Sequence, residues 1–342
     1  MSAAGPEALA PLPTGLDFRL LNEFQRGFPL DARPYAQLAG KLECTEADVL
    51  ARLARLAAAG TVSRVGAVFA PGRVGASTLA ALAVPPERLD AVAALVSAHA
   101  EVNHNYEREH RFNLWYVAAA ADGAALARVL GDIARETACE AIVAPLVTEY
   151  HIDLGFDLGP QGGRTRHGPG SRAARVLAPA ERRLMQALEG GLPLVARPYL
   201  GLGAAAGLDE GEVLATLARW LAEGLVKRLG VIVRHHELGY RANAMCVWDV
   251  PDAAVDALGA RLAGMAGVNL CYRRRRDAGW NYNLYCMLHG RDRSAVLARL
   301  AALSSECGLT QHAGAVLFSC RRFKQCGARY AAGGARAEPA HA

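Results

Sequence analysis

The feature that most constrains this chain is an internal repeat. Residues 30–35 have the sequence LDARPY, and residues 194–199 have the sequence LVARPY, 164 positions later. The same spacing pairs Arg64 with Arg228 and many positions around them. Such a constant register indicates a tandem duplication, and two related modules on one chain can form an intrachain pseudo-dimer with one asymmetric site. Differences in chemistry between the halves therefore point to function.

Composition predicts a cytoplasmic globular protein with more than one domain. The chain has 342 residues, of which 52% are hydrophobic and 21% charged. It holds no apolar run of about 18 residues that could span a membrane, and its N-terminus lacks the pattern of a secretory signal. The net charge of +5 suits a compact anionic ligand as well as a nucleic acid. The eight cysteines include no C-x-x-C pair, which favours reduced thiols over a metal site.

The repeat, a Gly- and Pro-rich linker and two terminal segments divide the chain into seven predicted parts. These are a disordered lead at 1–15, a helix-turn-helix module at 16–62, a ferredoxin-like domain at 63–154, a linker at 155–176, a second helix-turn-helix module at 177–226, a second ferredoxin-like domain at 227–326 and a tail at 327–342. Linker composition and the return of the repeat set the boundaries.

Each half opens with segments that predict a helix-turn-helix module. In the first half we expect helices at 17–26, 35–42 and 45–59, the last with Thr45 as its N-cap and Asp48 at N3. The apolar positions of the third helix lie on one face, as a helix packed on its neighbours requires.

Beyond each module the hydrophobic pattern predicts strands and helices in the order βαββαβ, which is typical of a ferredoxin-like sandwich. The predicted strands are 78–84, 101–106, 112–119 and 141–150 in the first half, and 242–250, 268–272, 280–288 and 314–320 in the second. The predicted fold class is α+β, a tandem duplication in which each half is a helix-turn-helix (winged-helix) module followed by a ferredoxin-like βαββαβ sandwich.

Two motif blocks make the prediction more specific. The first half has VNHNYER at 102–108 and FNLWY at 112–116, and the second has RHHELGYRANAM at 234–245 and WNYNLY at 280–285. A helix-turn-helix module followed by a ferredoxin-like sandwich is similar to the Lrp/AsnC family of transcription regulators. The motif blocks resemble the paired subunits of siroheme decarboxylase, here fused in one chain.

The resemblance implies an activity and a substrate. Siroheme decarboxylases remove two acetate carboxylates of siroheme as CO2 and give 12,18-didecarboxysiroheme, on the route to haem d1 or on an alternative route to haem. The expected partner is therefore a small tetrapyrrole. No cofactor is expected beyond the substrate's own iron, because the conjugated ring can accept the electrons that departing CO2 leaves behind.

Histidines are the predicted catalytic residues, and the halves differ in where they carry them. Strand alternation places His104 on the face of Val102 and Tyr106, where it would serve as axial ligand to the siroheme iron or as proton donor. The aligned position in the second half holds Leu270, whereas His235 and His236 have no histidine opposite them in the first half. An edge-strand histidine and an exposed turn are the structural alternatives.

Arginines are predicted to bind the carboxylates of the substrate, because a planar guanidinium suits bidentate carboxylate recognition. The candidates are Arg108, Arg234 and Arg274, the last within the run 273–276. A solvated or nucleic-acid-attracting run is the alternative for that segment. The repeated pair Arg33 and Arg197 is expected to fix the helix-turn-helix corner.

Four aromatic residues complete the predicted substrate site. Tyr106 and Tyr272 end their predicted strands, just before the arginines of the loops that follow, and Tyr240 follows the histidine pair, where it could donate a proton or cap the turn. Trp280 begins a predicted strand beside the arginine run. Core packing is the alternative for Trp280, since an aromatic residue in an apolar strand is usually packing.

Two other functions stay open. A DNA-binding regulator would need basic or amide side chains at the start of its third helix, but residues 45–48 are TEAD and residues 209–212 are DEGE. Acidic residues there would be repelled by phosphates, so DNA is predicted not to be a partner. A non-catalytic haem or siroheme sensor would fit the same pocket. The sequence also leaves open whether the intrachain pseudo-dimer assembles into a homo-oligomer.

Overall fold

The structure is a computed structural model that describes residues 15–70, 72–152, 175–234 and 242–330. Within those ranges, none of the helices combines the length and apolar character needed to cross a membrane. The order of the elements repeats between the two halves, as the duplication predicts.

The described part of the first half contains the following elements in chain order: α1 (Gly15–Glu23), α2 (Pro34–Leu42), α3 (Glu46–Ala58), β1 (Val62–Phe69), β2 (Ala76–Ala83), α4 (Leu89–Ala98), β3 (Val102–Arg108), β4 (Leu114–Ala120), α5 (Gly123–Thr137), β5 (Glu140–Ala144) and β6 (Leu146–Ile152). Those of the second half are α6 (Pro179–Glu189), α7 (Pro198–Ala206), α8 (Glu210–Ala222), β7 (Val226–Val233), β8 (Ala242–Trp248), α9 (Val255–Ala263), β9 (Val268–Arg274), β10 (Leu284–Gly290), α10 (Arg293–Cys307) and β11 (Gly314–Gln325).

Local chemistry sets the start of the third helix in each module. The Thr45 hydroxyl accepts from the Asp48 backbone N–H, and the Asp48 carboxylate accepts from the Thr45 N–H. Asp209 and Glu212 form the same reciprocal cap on α8. Two orphan N–H groups of each helix are thereby satisfied. The predicted cap on Thr45 is confirmed.

The repeated arginines fix the corner between the second and third helices, as predicted. Arg33 forms an ion pair with Glu46, and Arg197 forms the equivalent ion pair with Glu210. Each arginine directly precedes the proline that begins its helix, and a proline at that position suits the first helical turn.

Tyrosines of the LDARPY and LVARPY segments join the two modules across the pseudo-dimer. The Tyr35 hydroxyl donates to the Pro193 carbonyl over 3.0 Å, and the Tyr199 hydroxyl donates to the Pro29 carbonyl over 3.0 Å. Both rings are buried in one core that the two helix-turn-helix modules share. The repeated motif is therefore an interface motif.

Removing one of these hydroxyls should weaken that interface. Tyr35→Phe is expected to lower the free energy of unfolding by about 1 kcal/mol, because the Pro193 carbonyl loses its buried donor. Tyr35→Phe combined with Tyr199→Phe should cost about twice as much, since the two bonds are separate. Urea unfolding followed by circular dichroism measures both values. No loss in the double variant would contradict a stabilising role for these bonds.

The described strands form two sheets, and the larger joins the two halves. Its order is β5-β2-β4-β3-β11-β8-β10-β9-β6, while β1 pairs with β7 in a separate two-stranded sheet. Within the larger sheet each half keeps the ferredoxin-like order, with its last strand beside its first. The long strand β11 pairs first with β8 and then with β3. Correspondingly, β5 pairs with β2 and its continuation β6 pairs with β9. Each half thus pairs the end of its last strand segment with a strand of the other half.

The predicted strand bounds differ from the observed ones, and at three strands the difference has a clear structural cause. The predicted strand 141–150 is divided at Pro145 into β5 and β6, because proline has no N–H for the ladder. The predicted strand 314–320 continues to Gln325 because it pairs with the other half. The predicted strand 280–288 begins only at Leu284, since Trp280 lies in a turn that bridges to Asp277.

Helices cover the outer faces, and an aromatic core lies between the inner faces. Helices α4 and α5 pack on the first half's strands, and α9 and α10 on those of the second. The inner faces contribute Trp115, Trp280 and Tyr285 to one core built from both halves. Because strands of both halves line this inner region, side chains there can form a site that neither half makes alone.

Candidate active site between the two halves

The two halves hold one Tyr-x-Arg pair each in equivalent places. Tyr106 and Arg108 end β3, and Tyr272 and Arg274 end β9. Arg108 Nη1 donates to the carbonyl of Leu317 over 3.0 Å, and Arg274 Nη1 donates to the carbonyl of Ala144 over 2.7 Å. Both arginines therefore reach the last strand of the opposite half, and the site has pseudo-twofold symmetry at the level of the backbone.

A bulge in β3 places His104 on the inner face. The pairing of β3 with β4 shifts register between Val102 and His104. As a result Val102 packs in the outer core beneath α4 and α5, while His104 stacks on Tyr106 with ring centroids 6.2 Å apart. The prediction that Val102 and His104 share a face is wrong, because the extra residue Asn103 changes the alternation.

The His104 ring is held in one tautomer. Its Nδ1 lies 2.9 Å from the Asn103 side-chain oxygen, and because an amide oxygen only accepts, Nδ1 carries the proton. Nε2 then has a free lone pair, and no described residue donates to it. Burial, followed by the positive charge of Arg64, lowers the pKa of His104 to about 4. At neutral pH this imidazole is uncharged and suited to ligate a metal.

Arginines without acidic partners surround the stacked pair. Within the described ranges, Arg64, Arg108 and Arg234 form no ion pair with a carboxylate. Burial lowers the pKa of both Arg64 and Arg108. The guanidinium of Arg108 lies 5.8 Å from the centroid of the Tyr106 ring. Arg234 Nη1 donates to the Gly60 carbonyl, and the positive charge of Arg234 opposes the rise in the Tyr106 pKa that burial causes. Unneutralised cations in a partly buried site favour an anionic ligand.

The run 273–276 divides into different environments. Arg273 forms ion pairs with Asp252 and Asp256. Arg276 forms ion pairs with Asp249 and Asp252. These two arginines brace the loop before α9, so neither is free to bind a substrate or a nucleic acid. Arg274 points to the inner region and lies 4.5 Å from the centroid of the Tyr272 ring.

Trp280 lies in the core rather than on an open surface. It is 1% exposed, its indole N–H donates to the Tyr285 hydroxyl over 2.6 Å, and Trp115 packs against it with centroids 5.0 Å apart. Trp280 therefore packs in the core, which was the alternative to a contact with the substrate. His235, His236 and Tyr240 lie outside the described residues.

Sequence analysis missed a second buried histidine, His289 on β10. Its Nδ1 lies 2.9 Å from the side-chain oxygen of Asn269, and its Nε2 lies 2.9 Å from the side-chain nitrogen of Asn243. Burial, followed by the charge of Arg108, lowers the pKa of His289 to about 4. One signal was present: a histidine ends an apolar strand in the second half, where the aligned strand of the first half has Ala119.

The two pseudo-equivalent regions differ in charge and in histidines. By strand register His104 corresponds to Leu270, and His289 corresponds to Ala119. Arg322, which pairs with Tyr106 in the ladder, corresponds to Glu149, which pairs with Tyr272.

Two further differences concern the charged residues of the two regions. Glu149 is neutralised by an ion pair with Lys227. Arg234, whose N–H donates to the Thr61 carbonyl, corresponds to Ala70, whose N–H donates to the Leu225 carbonyl. His104 and His289 thus lie on the side of Tyr106 and Arg108, whereas the opposite region has Leu270, Ala119 and the ion-paired Glu149 at the corresponding positions. Arg274 and Arg228, which correspond to Arg108 and Arg64, also form no ion pair within the described residues, so the two regions differ chiefly in their histidines.

The two buried histidines should make stability depend on pH. In the unfolded chain a histidine binds a proton near pH 6.5, whereas His104 and His289 do so only near pH 4 when folded. The unfolded state therefore binds more protons in between, and stability should fall as pH drops from about 6.5 to about 4, by about 3 kcal/mol for each histidine. Urea unfolding at neutral and acidic pH tests this. An equal fall in His104→Gln, His289→Gln and the parent chain would contradict the assignment.

Comparison with known proteins agrees with this architecture. The fold and site define an AsnC-like ligand-binding protein with a cationic site: the AsnC-like ligand binding domain matches residues 73–150 and 237–324. The siroheme decarboxylase NirDL-like helix-turn-helix domain matches residues 17–62 and 181–226. The chain belongs to the siroheme decarboxylase family of the NirDL type.

Individual relatives match either nearly the whole chain or one half of it. The siroheme decarboxylase NirDL subunit of Paracoccus denitrificans is 47% identical over 92% of this chain and 97% of its own length. The siroheme decarboxylase NirD subunit of Pseudomonas aeruginosa is 54% identical over 42% of this chain and 95% of its own length. A crystal structure of the siroheme decarboxylase NirDL in complex with an iron-uroporphyrin III analogue aligns with TM-score 0.64 and 28% identity, covering 92% of this chain and 93% of that one.

Proposed function

We propose that this chain decarboxylates siroheme, releasing two acetate carboxylates as CO2 to give 12,18-didecarboxysiroheme in haem d1 biosynthesis. Membership of the family supports the reaction, and the relative crystallised with an iron-uroporphyrin III analogue supports a tetrapyrrole ligand. The single observation that carries the proposal is the set of arginines without acidic partners around a neutral histidine. The expected location is the cytoplasm, and siroheme's own iron is the only metal we propose.

The substrate fits the charge of the site. Siroheme is a flat macrocycle with eight carboxylates around its rim, so it needs cations at the edge and an apolar surface against its faces. Arg64, Arg108 and Arg234 are placed to bind carboxylates as charge-assisted forks. We propose that Tyr106 contacts the substrate between His104 and Arg108. Because the corresponding region around Arg274 lacks both histidines, we place both decarboxylation steps on the His104 side.

His104 is proposed as the axial ligand of the siroheme iron rather than as the proton donor. Its Nδ1 proton is committed to Asn103 and its Nε2 lone pair is free. With a pKa of about 4, only a small fraction is protonated at neutral pH, which makes it a poor general acid there. Asn103 acts as the outer partner that orients a ligating histidine.

The reaction then needs a proton from another group. The bond between the acetate methylene carbon and its carboxyl carbon breaks, CO2 leaves, and the electron pair is delocalised into the ring until a proton converts the methylene into a methyl group. His235 and His236 remain the proposed proton donors, with Tyr240 as a further candidate. A donor near neutral pKa contributes roughly 10²–10⁴-fold to such a step.

Anaerobic incubation of the purified chain with siroheme, followed by mass analysis of the tetrapyrrole, tests the proposal. Loss of two CO2 masses is the expected result. Loss of one would show that a partner completes the reaction. Siroheme bound without any mass change would favour the sensor function, and neither binding nor turnover would overturn the proposal.

The regulator alternative has less support in the structure. Arg52 and Arg55, the basic residues of α3, both form ion pairs with Asp17. A recognition helix needs such side chains free for phosphates and bases. We therefore propose that the helix-turn-helix modules brace the pseudo-dimer, and a gel-shift assay with DNA should show no binding at physiological salt.

A further inference from the structure

Arg108 differs from its counterpart Arg274 by a second hydrogen bond, to a side chain of the other half. Both of its hydrogen bonds are made by Nη1, to the Leu317 carbonyl at 3.0 Å and to the Asn243 side-chain oxygen at 3.4 Å. Among the described residues, none accepts a hydrogen bond from Nε or Nη2. These two nitrogens form one edge of the guanidinium plane, and such an edge is suited to hold a carboxylate by two parallel bonds.

Asn243 connects this arginine to His289. Its side-chain oxygen accepts from Arg108, and its side-chain nitrogen donates to His289 Nε2 over 2.9 Å. His289 Nε2 therefore accepts, and Nδ1 carries the proton that is donated to Asn269. Asn243 and His289 are directly opposed on neighbouring strands, so the amide has a fixed orientation only while His289 stays neutral.

The other half lacks this chain of hydrogen bonds. The positions that correspond to Asn243 and His289 are Ser77 and Ala119. Arg274 donates to the Ala144 carbonyl and forms no hydrogen bond with Ser77, and Ala119 has no polar side chain. Asn103, which corresponds to Asn269, instead accepts from His104. Both asparagines lie at the register shift of their strands, so one repeated bulge residue orients a different histidine in each half.

We propose that Asn269, His289 and Asn243 form a positioning relay through which the second half aims the free edge of Arg108 at a substrate carboxylate. The inference rests on the proposed function for the identity of the substrate. The relay touches Arg108 and no part of the substrate, so these three are positioning residues. It makes the site on the first half's strand dependent on side chains from the second half. A fork held in place loses less freedom when it binds a carboxylate.

A double-mutant cycle tests whether His289 acts through Arg108. His289→Ala, the residue of the corresponding position, should raise the Kd for siroheme and lower kcat/KM by about 10- to 100-fold. Arg108→Met removes the group that the relay holds. In the Arg108→Met background, His289→Ala should then have no further effect, because a relay that acts only through Arg108 gives non-additive losses. Anaerobic absorbance titration gives Kd, and CO2 release gives kcat/KM.

Two further variants keep the test informative if His289→Ala folds poorly. Asn243→Ser copies the other half and should show the same non-additivity with Arg108→Met. Ser77→Ala, at the corresponding position beside Arg274, is the matched control and should leave both constants within about twofold. A general loss of structure would lower binding by the same factor in both backgrounds, which would overturn the relay.

The outcomes also separate the relay from the proposed function. If the parent chain binds siroheme without decarboxylating it, the reaction fails, and the Kd cycle alone still decides the relay. If the parent chain turns over siroheme and His289→Ala is unchanged, or its effect adds to that of Arg108→Met, only the relay is wrong. If the parent chain does not bind siroheme, both are wrong.

Discussion

His104→Ala is expected to lower siroheme turnover by at least about 10²-fold and to remove a nitrogen ligand from the bound iron. The reason is geometric. His104 is the described inner-face histidine whose Nε2 has no protein donor, while Asn103 fixes its other nitrogen. Turnover under anaerobic conditions gives the rate, and the visible absorption spectrum of bound siroheme gives the change of ligand. Imidazole added to the buffer should restore part of both signals, because the substitution leaves space for it.

Leu270→Ala is the matched control for this variant. Leu270 occupies the corresponding position of the second half, so its truncation tests the loss of a side chain at that register without loss of a histidine. It is expected to reduce stability through lost packing and to leave the iron spectrum unchanged. Unchanged turnover and spectrum in His104→Ala would refute the ligand role. If His235→Ala with His236→Ala were also fully active, the proposed mechanism would be wrong as a whole.

Arg108→Met is expected to lower kcat/KM by about 10²–10³-fold, which corresponds to losing one desolvated charge partner of a carboxylate. Arg108 is 7% exposed and has no acidic partner among the described residues, so a bound carboxylate would be its counter-ion. Arg108→Lys keeps the charge but lacks the planar fork, and should retain part of the activity. Steady-state kinetics with siroheme measure kcat/KM for the parent chain and both variants.

Arg274→Met serves as the comparison, since Arg274 reaches the Ala144 carbonyl as Arg108 reaches that of Leu317. It should lose far less activity, because the region around it holds Leu270 and the ion-paired Glu149 in place of His104 and Arg322. Equal losses in the two variants would mean that the substrate contacts both regions. The proposal that both steps occur on one side would then be wrong.

Local patterns in the sequence were sufficient for the parts of the fold that depend on neighbouring residues. The cap on Thr45, the corner arginine Arg33 and the order of elements follow from short-range hydrogen bonding and apolar periodicity, and the structure agrees with each. The predicted strand ends at 150 and 320 are wrong because those ends pair with the other half. Long-range pairing of this kind leaves no local periodicity to detect.

The residues of the site likewise divide into those that the sequence predicted and those that only the structure revealed. The motif around residues 102–108 pointed to His104 and Tyr106, because alternate positions of one strand share a face, and to Arg108, which was expected in the following loop. In the structure β3 continues to Arg108. Trp280 was placed among the substrate residues by its proximity in sequence to the arginine run, but its indole is enclosed in the core. His289 and Asn243 were missed, since each is unremarkable in its own strand and only the pairing of β8 with β10 brings them together.

By itself the sequence determined that the chain is a duplicated α+β protein, that its halves differ in their histidines, and that its motifs resemble those of siroheme decarboxylases. Only the tertiary structure decided which arginines have acidic partners and which do not. Arg273 and Arg276 are neutralised by aspartates 17 to 27 residues away along the chain, whereas Arg108 is not. Charge balance depends on distances in space, and residues of one type in a sequence acquire different chemistry from the neighbours that folding gives them.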